Sequence, residues 1–271
     1  MNRQTFKRIT PKPIWAIISN SYWWWYNRGR HRWAQVSQGQ WAANKERLAA
    51  YQDSIQGGRC FIIGNGPSLN KMDLSPLKNE ITFGLNRIYL AFPKLGFATT
   101  YLVSTNDLVL EQCAAEMSAT PSTRFVTWRA RRWFAGDANT LFLDTDFTGP
   151  ENFSGNLTGR LFEGFTVTYT ALQIAFSMGF SQAILIGVDH NFTTQGLANA
   201  TVVSLGDDPN HFAPNYFGKG FRWQLPDLEG SERAYRLAQE AYTRAGREVL
   251  DATVDGKLTI FPKVDYRTLF D

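Results

Sequence analysis

Cysteine and histidine are scarce in this 271-residue chain: there are two cysteines, Cys60 and Cys113, and three histidines, His31, His190 and His211. The cysteines have neither zinc-site nor thiol–disulfide spacing and stand in apolar surroundings, so they read as small core residues in a reducing compartment. No apolar run approaches the roughly 18 residues that cross a bilayer. A secretory leader is also poorly matched, because the short apolar piece near the start is followed by tryptophan and arginine rather than by a small-residue cleavage site. No internal repeat or low-complexity segment is present. A hydrophobic fraction of 44% with 14% aromatics excludes a disordered protein. The length suits one α/β domain with an appendage.

The net charge of +4 is unevenly spread. Residues 1–58 hold nine Lys/Arg against two Asp/Glu, which is +7, and leave −3 for the rest. Residues 1–57 also hold six of the nine tryptophans, and they read as a basic, Trp-rich helical arm ahead of a domain at 58–271. Interleaved Trp and Arg suit an aromatic face packed on the domain or on a second copy of the chain. They also suit a membrane interface with anionic headgroups. The expected location is cytoplasmic, peripheral on the inner face of the membrane if the arm binds lipid. Stacking on single-stranded nucleic acid would use the same residue types, but no nucleic-acid partner is expected.

The domain is organised around Arg59–Glu80, RCFIIGNGPSLNKMDLSPLKNE. Cys60–Ile63 is too short for a helix and right for a buried parallel strand. Gly64-Asn65-Gly66-Pro67 breaks it, and Ser75-Pro76 reads as the N-cap and first turn of a helix. A strand entering a glycine turn can bring backbone N–H groups close to an anion. The turn matches neither G-x-G-x-x-G nor G-x-x-x-x-G-K-[ST], so no dinucleotide or P-loop site is implied.

Strand then alternates with helix. A helix is expected over Trp41–Ile55, and strands over Ile81–Leu85, Thr99–Ser104, Arg124–Trp128, Leu141–Leu143, Ala183–Val188, Val249–Leu250 and Leu258–Phe261. Further helices are expected over 87–92, 108–117, Phe165–Met178 and Ser231–Ala245. The pattern is a Rossmann-like, doubly wound, mostly parallel sheet. Residues 192–230 form a long, polar, glycine-rich stretch of the kind that closes over a site.

Open parallel sheets bind ligands beyond the carboxyl ends of their strands. Those ends carry Asn65, Asn86, Thr105-Asn106-Asp107 and Asp189-His190-Asn191, a row of donors and acceptors at one edge. Asn is also a good turn residue, but four such endings point to a site. His31 reads as a surface residue, and His190 as either a site residue or a loop anchor. His211, flanked by Asp207, Asp208 and Tyr216, suits a general base, the role for which histidine is the usual residue type. The carboxylates around it show no metal-ligand spacing.

Three segments, FIIGNGPSLNKMDLSPLKNEITFGLNRIYL, TVTYTALQIAFSMGFSQAILIGVDHNF and DPNHFAPNYFGKGF, resemble the MptE-like domain. That domain takes its name from an archaeal 6-hydroxymethylpterin diphosphokinase and also occurs in motility-associated factors that glycosylate flagellin. The order of segments is similar to that of the small bacterial sialyltransferases that use CMP-activated sialic acid. The likeness covers roughly residues 59–262 and leaves the arm outside.

The resemblance implies nucleotide contacts from Asn65, Gly66, Pro67, Ser68, Asn86, Asn106, Asp107 and Asp189. It implies contacts to the donor's acid or phosphate from Thr166, Thr168, Asn191 and Tyr216, and proton transfer by His211 or His190. Helix N-termini favour such anions on independent grounds. The pattern also departs from the sialyltransferases. They follow the Gly-x-Asp strand end with a tyrosine, where this chain has His190-Asn191, and their base segment has two histidines where this one has His211. The expected activity is a metal-independent glycosyltransferase that takes a CMP-linked nonulosonic acid or another nucleotide-sugar donor to a glycan or protein acceptor. One alternative is an MptE-like diphosphokinase with Mg²⁺ on Asp107 and Asp189. Another is a nucleotide-sugar-binding or assembly protein without catalysis.

Overall fold

The computed structural model describes residues 38–134, 138–147, 152–194 and 196–270; the expectations for residues 1–37 lie outside them. The chain divides into compact units at 1–43 and 44–271, so residues 44–57 group with the domain. In chain order the elements are α1 (Gln38–Ala49), β1 (Arg59–Ile63), β2 (Thr82–Leu85), β3 (Tyr101–Ser104), α2 (Asp107–Ser118), β4 (Thr123–Thr127) and β5 (Thr140–Asp146). They continue with β6 (Arg160–Phe162), α3 (Val167–Met178), β7 (Gln182–Ile186), β8 (Thr201–Val203), β9 (Arg222–Gln224), α4 (Leu228–Arg244) and β10 (Glu248–Asp251).

Eight strands form one sheet in the order β10-β7-β1-β2-β3-β4-β5-β6, and every neighbouring pair is parallel. Alternate residues of β1 serve opposite faces, and both faces are covered. Cys60 and Ile62 join Phe83, Val103 and Phe125 in a core closed by Leu172 and Ala175 of α3 and by Ala238 and Tyr242 of α4. On the other face Phe61 stacks on Phe270 at 5.6 Å, and Trp128 meets Phe142 edge-on at the same distance. Burial on two sides explains why the strands read as continuous apolar runs.

Strands β2 to β6 step outward from β1 on one side, while β7 and β10 lie on the other. The winding therefore reverses at β1, the place where open α/β sheets leave a crevice. Gly64 is required there by close approach, because a Cβ would fall 2.3 Å from the carbonyl oxygen of Gly187 at the end of β7.

Several expectations are corrected. Ser75 does not cap an α-helix. The β1–β2 connection consists of two 3-10 turns, Pro67–Lys71 and Ser75–Asn79, and the Ser75 N–H is taken by the Asp73 side chain. Two prolines nine residues apart, Pro67 and Pro76, leave too little chain between them for a helix. Leu258–Phe261 is irregular and packs Leu258, Ile260 and Phe261 into the core, while the isolated bridge to the sheet, Asp251 to Lys263, falls just after it. Strand β6 was missed because three residues carry no legible period. The first helix ends at Ala49 and not at Ile55. The 192–230 stretch holds an antiparallel ribbon, β8–β9. Among the described residues no helix is long and apolar enough to cross a membrane.

Candidate functional site

Asn65, Asn86, Asn106 and Asp189 follow β1, β2, β3 and β7, which are adjacent in the sheet and parallel, so all four stand at one edge. Asn65 Nδ2 donates to the carbonyl of Leu85 at 3.0 Å, tying the end of β1 to that of β2. Its Oδ1 is buried with no partner among the described residues. Asn86 takes a left-handed conformation, φ +48°, and its Oδ1 accepts from the Ser104 hydroxyl at 2.9 Å. Asn106 caps α2 by accepting the N–H groups of Leu108 and Val109, and its Nδ2 donates to Gln224 of β9.

The glycine turn does hold an anion, and that anion belongs to the protein. Ser68 donates its N–H at 3.1 Å and its hydroxyl at 2.6 Å to the two oxygens of Asp189. A Cβ on Gly66 would lie 1.7 Å from Asp189 Oδ2. Gly66 and Ser68 therefore seat this carboxylate and not a ligand phosphate, while Pro67 begins the 3-10 turn on the exposed side. Burial pushes the Asp189 carboxyl above its usual range, against the Ser68 hydrogen bonds and the nearby Lys71 charge.

Residues 208–217 fold back onto this edge. The Phe212 N–H donates to the Asn65 carbonyl at 2.9 Å, and Asn70 Nδ2 donates to the Phe212 carbonyl at 2.8 Å. Asn210 Oδ1 accepts from both the N–H and the hydroxyl of Thr193, which fastens the chain after β7 to the same segment. His211 is thus delivered beside the end of β1. Its Nδ1 lies 2.7 Å from Asp208 Oδ2, and its ring is parallel to that of Tyr216 at 3.9 Å.

Tyr216, expected at the donor's acid or phosphate, lies beneath the edge. It is fully buried, its hydroxyl receives the Arg87 N–H, and its carbonyl receives the Arg87 guanidinium. It forms the floor beneath His211. His190 is turned the other way, with Nε2 3.1 Å from Glu232 Oε1 on α4. Its φ of +52° turns its ring to Tyr235, 6.3 Å away. No contact between His190 and His211 is found among the described residues. Asn191 is exposed. Thr166 caps α3, its hydroxyl accepting the Thr168 N–H and lying 3.4 Å from the Tyr235 hydroxyl; Thr168 is buried behind it.

Asp107 lies at the start of α2, paired with Arg129 at 3.2 Å. It follows β3, whereas Asp189 follows β7. Three strand spacings separate those ends, roughly 14 Å, so one Mg²⁺ with bonds near 2.1 Å cannot be held by both. No cluster of three His, Cys, Asp or Glu converges among the described residues. The sequence reading missed Arg87, Arg129, Glu163, Asn210, Glu232 and Tyr235. Each acts through a partner remote in sequence, and only Arg87, next to Asn86, stood close to a strand-end signal.

The topology and the polar edge define a doubly wound α/β protein with its candidate ligand edge at the carboxyl ends of β7, β1, β2 and β3. The chain belongs to the MptE-like family, described as 6-hydroxymethylpterin diphosphokinase MptE-like and matched over residues 40–195. Among solved structures it is similar to the Maf glycosyltransferase from Magnetospirillum magneticum AMB-1, at a TM-score of 0.53 and 14% identity. That likeness covers 84% of this chain and 39% of the other, so the chain spans about two fifths of that protein's length. At this identity the likeness is one of fold. No curated protein matches the sequence.

Proposed function

We propose that this protein is a glycosyltransferase that takes a nucleotide-activated sugar, with a CMP-linked nonulosonic acid as the favoured donor. The observation that carries the reading is the placement of His211. A loop histidine is brought to the end of β1, beside the winding reversal, by hydrogen bonds at Phe212. A nucleotide phosphate is a stable leaving group, so the reaction asks little of an acid and much of a base near the incoming hydroxyl. The acceptor hydroxyl gives its proton to His211. Its oxygen bonds to the anomeric carbon, and the bond from that carbon to the phosphate oxygen breaks with its electron pair.

Asn65 donates one of its two Nδ2 hydrogens to Leu85, and its unpartnered Oδ1 is an acceptor. It therefore suits a ribose hydroxyl or a base amino group and would repel a phosphate. With the Gly66–Ser68 seat filled by Asp189, the N-terminus of α3 at Thr166 is the better-suited support for the donor's acid or phosphate. The acceptor is a glycan or protein hydroxyl.

The family's description favours a second reading, an Mg²⁺-dependent diphosphokinase acting on a pterin-type alcohol. The separation of Asp107 from Asp189 weighs against it. A thermal-shift panel of CMP, CDP, UDP, GDP and ATP, each with and without Mg²⁺, tests both. Stabilisation by cytidine nucleotides without Mg²⁺ supports the transferase. A shift that needs ATP and Mg²⁺ overturns it in favour of the kinase. Binding without turnover on any donor leaves a nucleotide-sugar-binding protein.

A further inference from the structure

A carboxylate can only accept hydrogen bonds. Asp208 Oδ2 faces Nδ1 of His211 at 2.7 Å, so that nitrogen carries the hydrogen, and in a neutral imidazole the lone pair then belongs to Nε2. The other oxygen of Asp208 is occupied by the Asn210 N–H at 2.9 Å, which stops the carboxylate from rotating. The pair is shielded from water, with side chains 3% exposed at Asp208 and 12% at His211. The ring is held from three directions: Tyr216 lies parallel to it within 8°, Phe217 stands edge-on at 4.9 Å, and Phe192 edge-on at 6.1 Å. A flip about χ2 would present Cδ2 to Asp208 and forfeit a charge-assisted hydrogen bond. Nε2 has no hydrogen-bond partner among the described residues.

We infer that Asp208 is a positioning residue that fixes His211 as the Nδ1–H tautomer and leaves Nε2 as the proton-accepting atom, assembled before any ligand binds. The inference deepens the transferase reading and rests on it for the identity of the proton. In the transfer step the acceptor's proton goes to Nε2 as its oxygen bonds to the anomeric carbon. The imidazolium is stabilised by the adjacent carboxylate until it returns the proton to solvent. Asp208 itself stays ionised, as the orienting aspartate does in serine hydrolases.

The tautomer can be read without an assay of activity. Long-range ¹⁵N–¹H correlation spectra of the full chain, labelled at histidine and held at about pH 8.5, roughly two units above the ordinary imidazole value, report which nitrogen carries hydrogen. A His211→Gln spectrum assigns the signals. The wild type is expected to show Nδ1–H at His211. Asp208→Asn, which can donate an amide hydrogen to Nδ1, is expected to move the hydrogen to Nε2 while the melting temperature changes little. If glycosyl transfer is found, the same substitution should lower kcat by about 10²–10⁴-fold with donor KM nearly unchanged, and Asp208→Glu should recover part of the loss. An Nε2–H or mixed tautomer in the wild type would overturn the inference, whatever the activity. So would an Asp208→Asn spectrum that keeps Nδ1–H. A tautomer that responds as expected in a protein that transfers no sugar upholds Asp208 as the orienting group and removes the transferase reading alone.

Discussion

His211 and Asn65 stand beside one another at the end of β1, linked through the backbone of Phe212, yet they should fail in different ways. On the proposed transferase reading, removing the imidazole would take away the base and leave the nucleotide contacts, so His211→Ala should cut kcat by about two to four orders of magnitude with CMP affinity nearly unchanged. Asn65→Ala removes the acceptor and the tie to Leu85, so it should chiefly weaken nucleotide binding. Paired measurements of kcat and Kd separate the two, and full activity in His211→Ala would exclude it as the base. Asp189 makes a prediction about pH. Its carboxyl is raised by burial, so the unfolded chain releases this proton first as pH rises. Its contribution to stability is therefore present below the ordinary aspartate range and is lost as pH climbs through the raised value. Asp189→Asn can keep the Ser68 N–H bond without a buried charge. Urea denaturation should find its stability relative to the wild type improving between about pH 4 and pH 7, since the wild type alone bears the ionisation cost. The residue types at the edge were legible because strands that stop on Asn or Asp leave a pattern. Their partners were not, because nothing in GNGPS shows that the anion in its seat comes from a strand 120 residues away.

At the scale of elements, the sheet is built on local signals that the sequence displays well. The apolar runs that became β1, β3 and β7 are unambiguous, and Thr166 and Gly179 bracket α3 with a hydroxyl cap and a left-handed stop. What failed was local structure without a period: the paired 3-10 turns after β1, the three-residue β6 and the ribbon inside the 192–230 stretch. The junction of β1 and β7 is where an element can least tolerate change. Gly64 faces the backbone of Gly187, which cannot move aside as a side chain could. Gly64→Ala should therefore cost about 3 kcal/mol, the upper part of the usual range for forcing atoms into a packed interior. Chemical denaturation would show it as a lower midpoint, and a midpoint within error of the wild type would mean that the two strand ends are not in contact. By contrast, Asn106→Ala should cost about 1 kcal/mol, the ordinary worth of an N-cap, and the loss should appear in stability before it appears in ligand binding.

Across the whole molecule, the half of the sheet from β3 to β6 is held at its carboxyl edge by one buried charge network. Arg129, after β4, donates to Glu163 at 2.7 Å, to Thr145 of β5 at 3.0 Å and to Asp107 at 3.2 Å. Thr145 completes the ring by donating to Glu163 at 2.7 Å. Arg129 and Glu163 are 34 residues apart, and no motif joins them. Sequence alone leaves Arg129 as one of several arginines in a basic run, because burial is decided by strand order and not by composition. Burial raises the Glu163 carboxyl despite the guanidinium beside it, so desolvation offsets much of the attraction between them. Removing one partner abandons a charge in a dry site and should cost about 3–5 kcal/mol, whereas replacing both with apolar residues of similar volume should cost much less. A double-mutant cycle of Arg129→Met, Glu163→Leu and the pair, followed by urea denaturation, tests this. The double variant should be more stable than either single one. Single losses that simply add would mean that the two charges do not act as a unit, and that the four strand ends are held by packing alone.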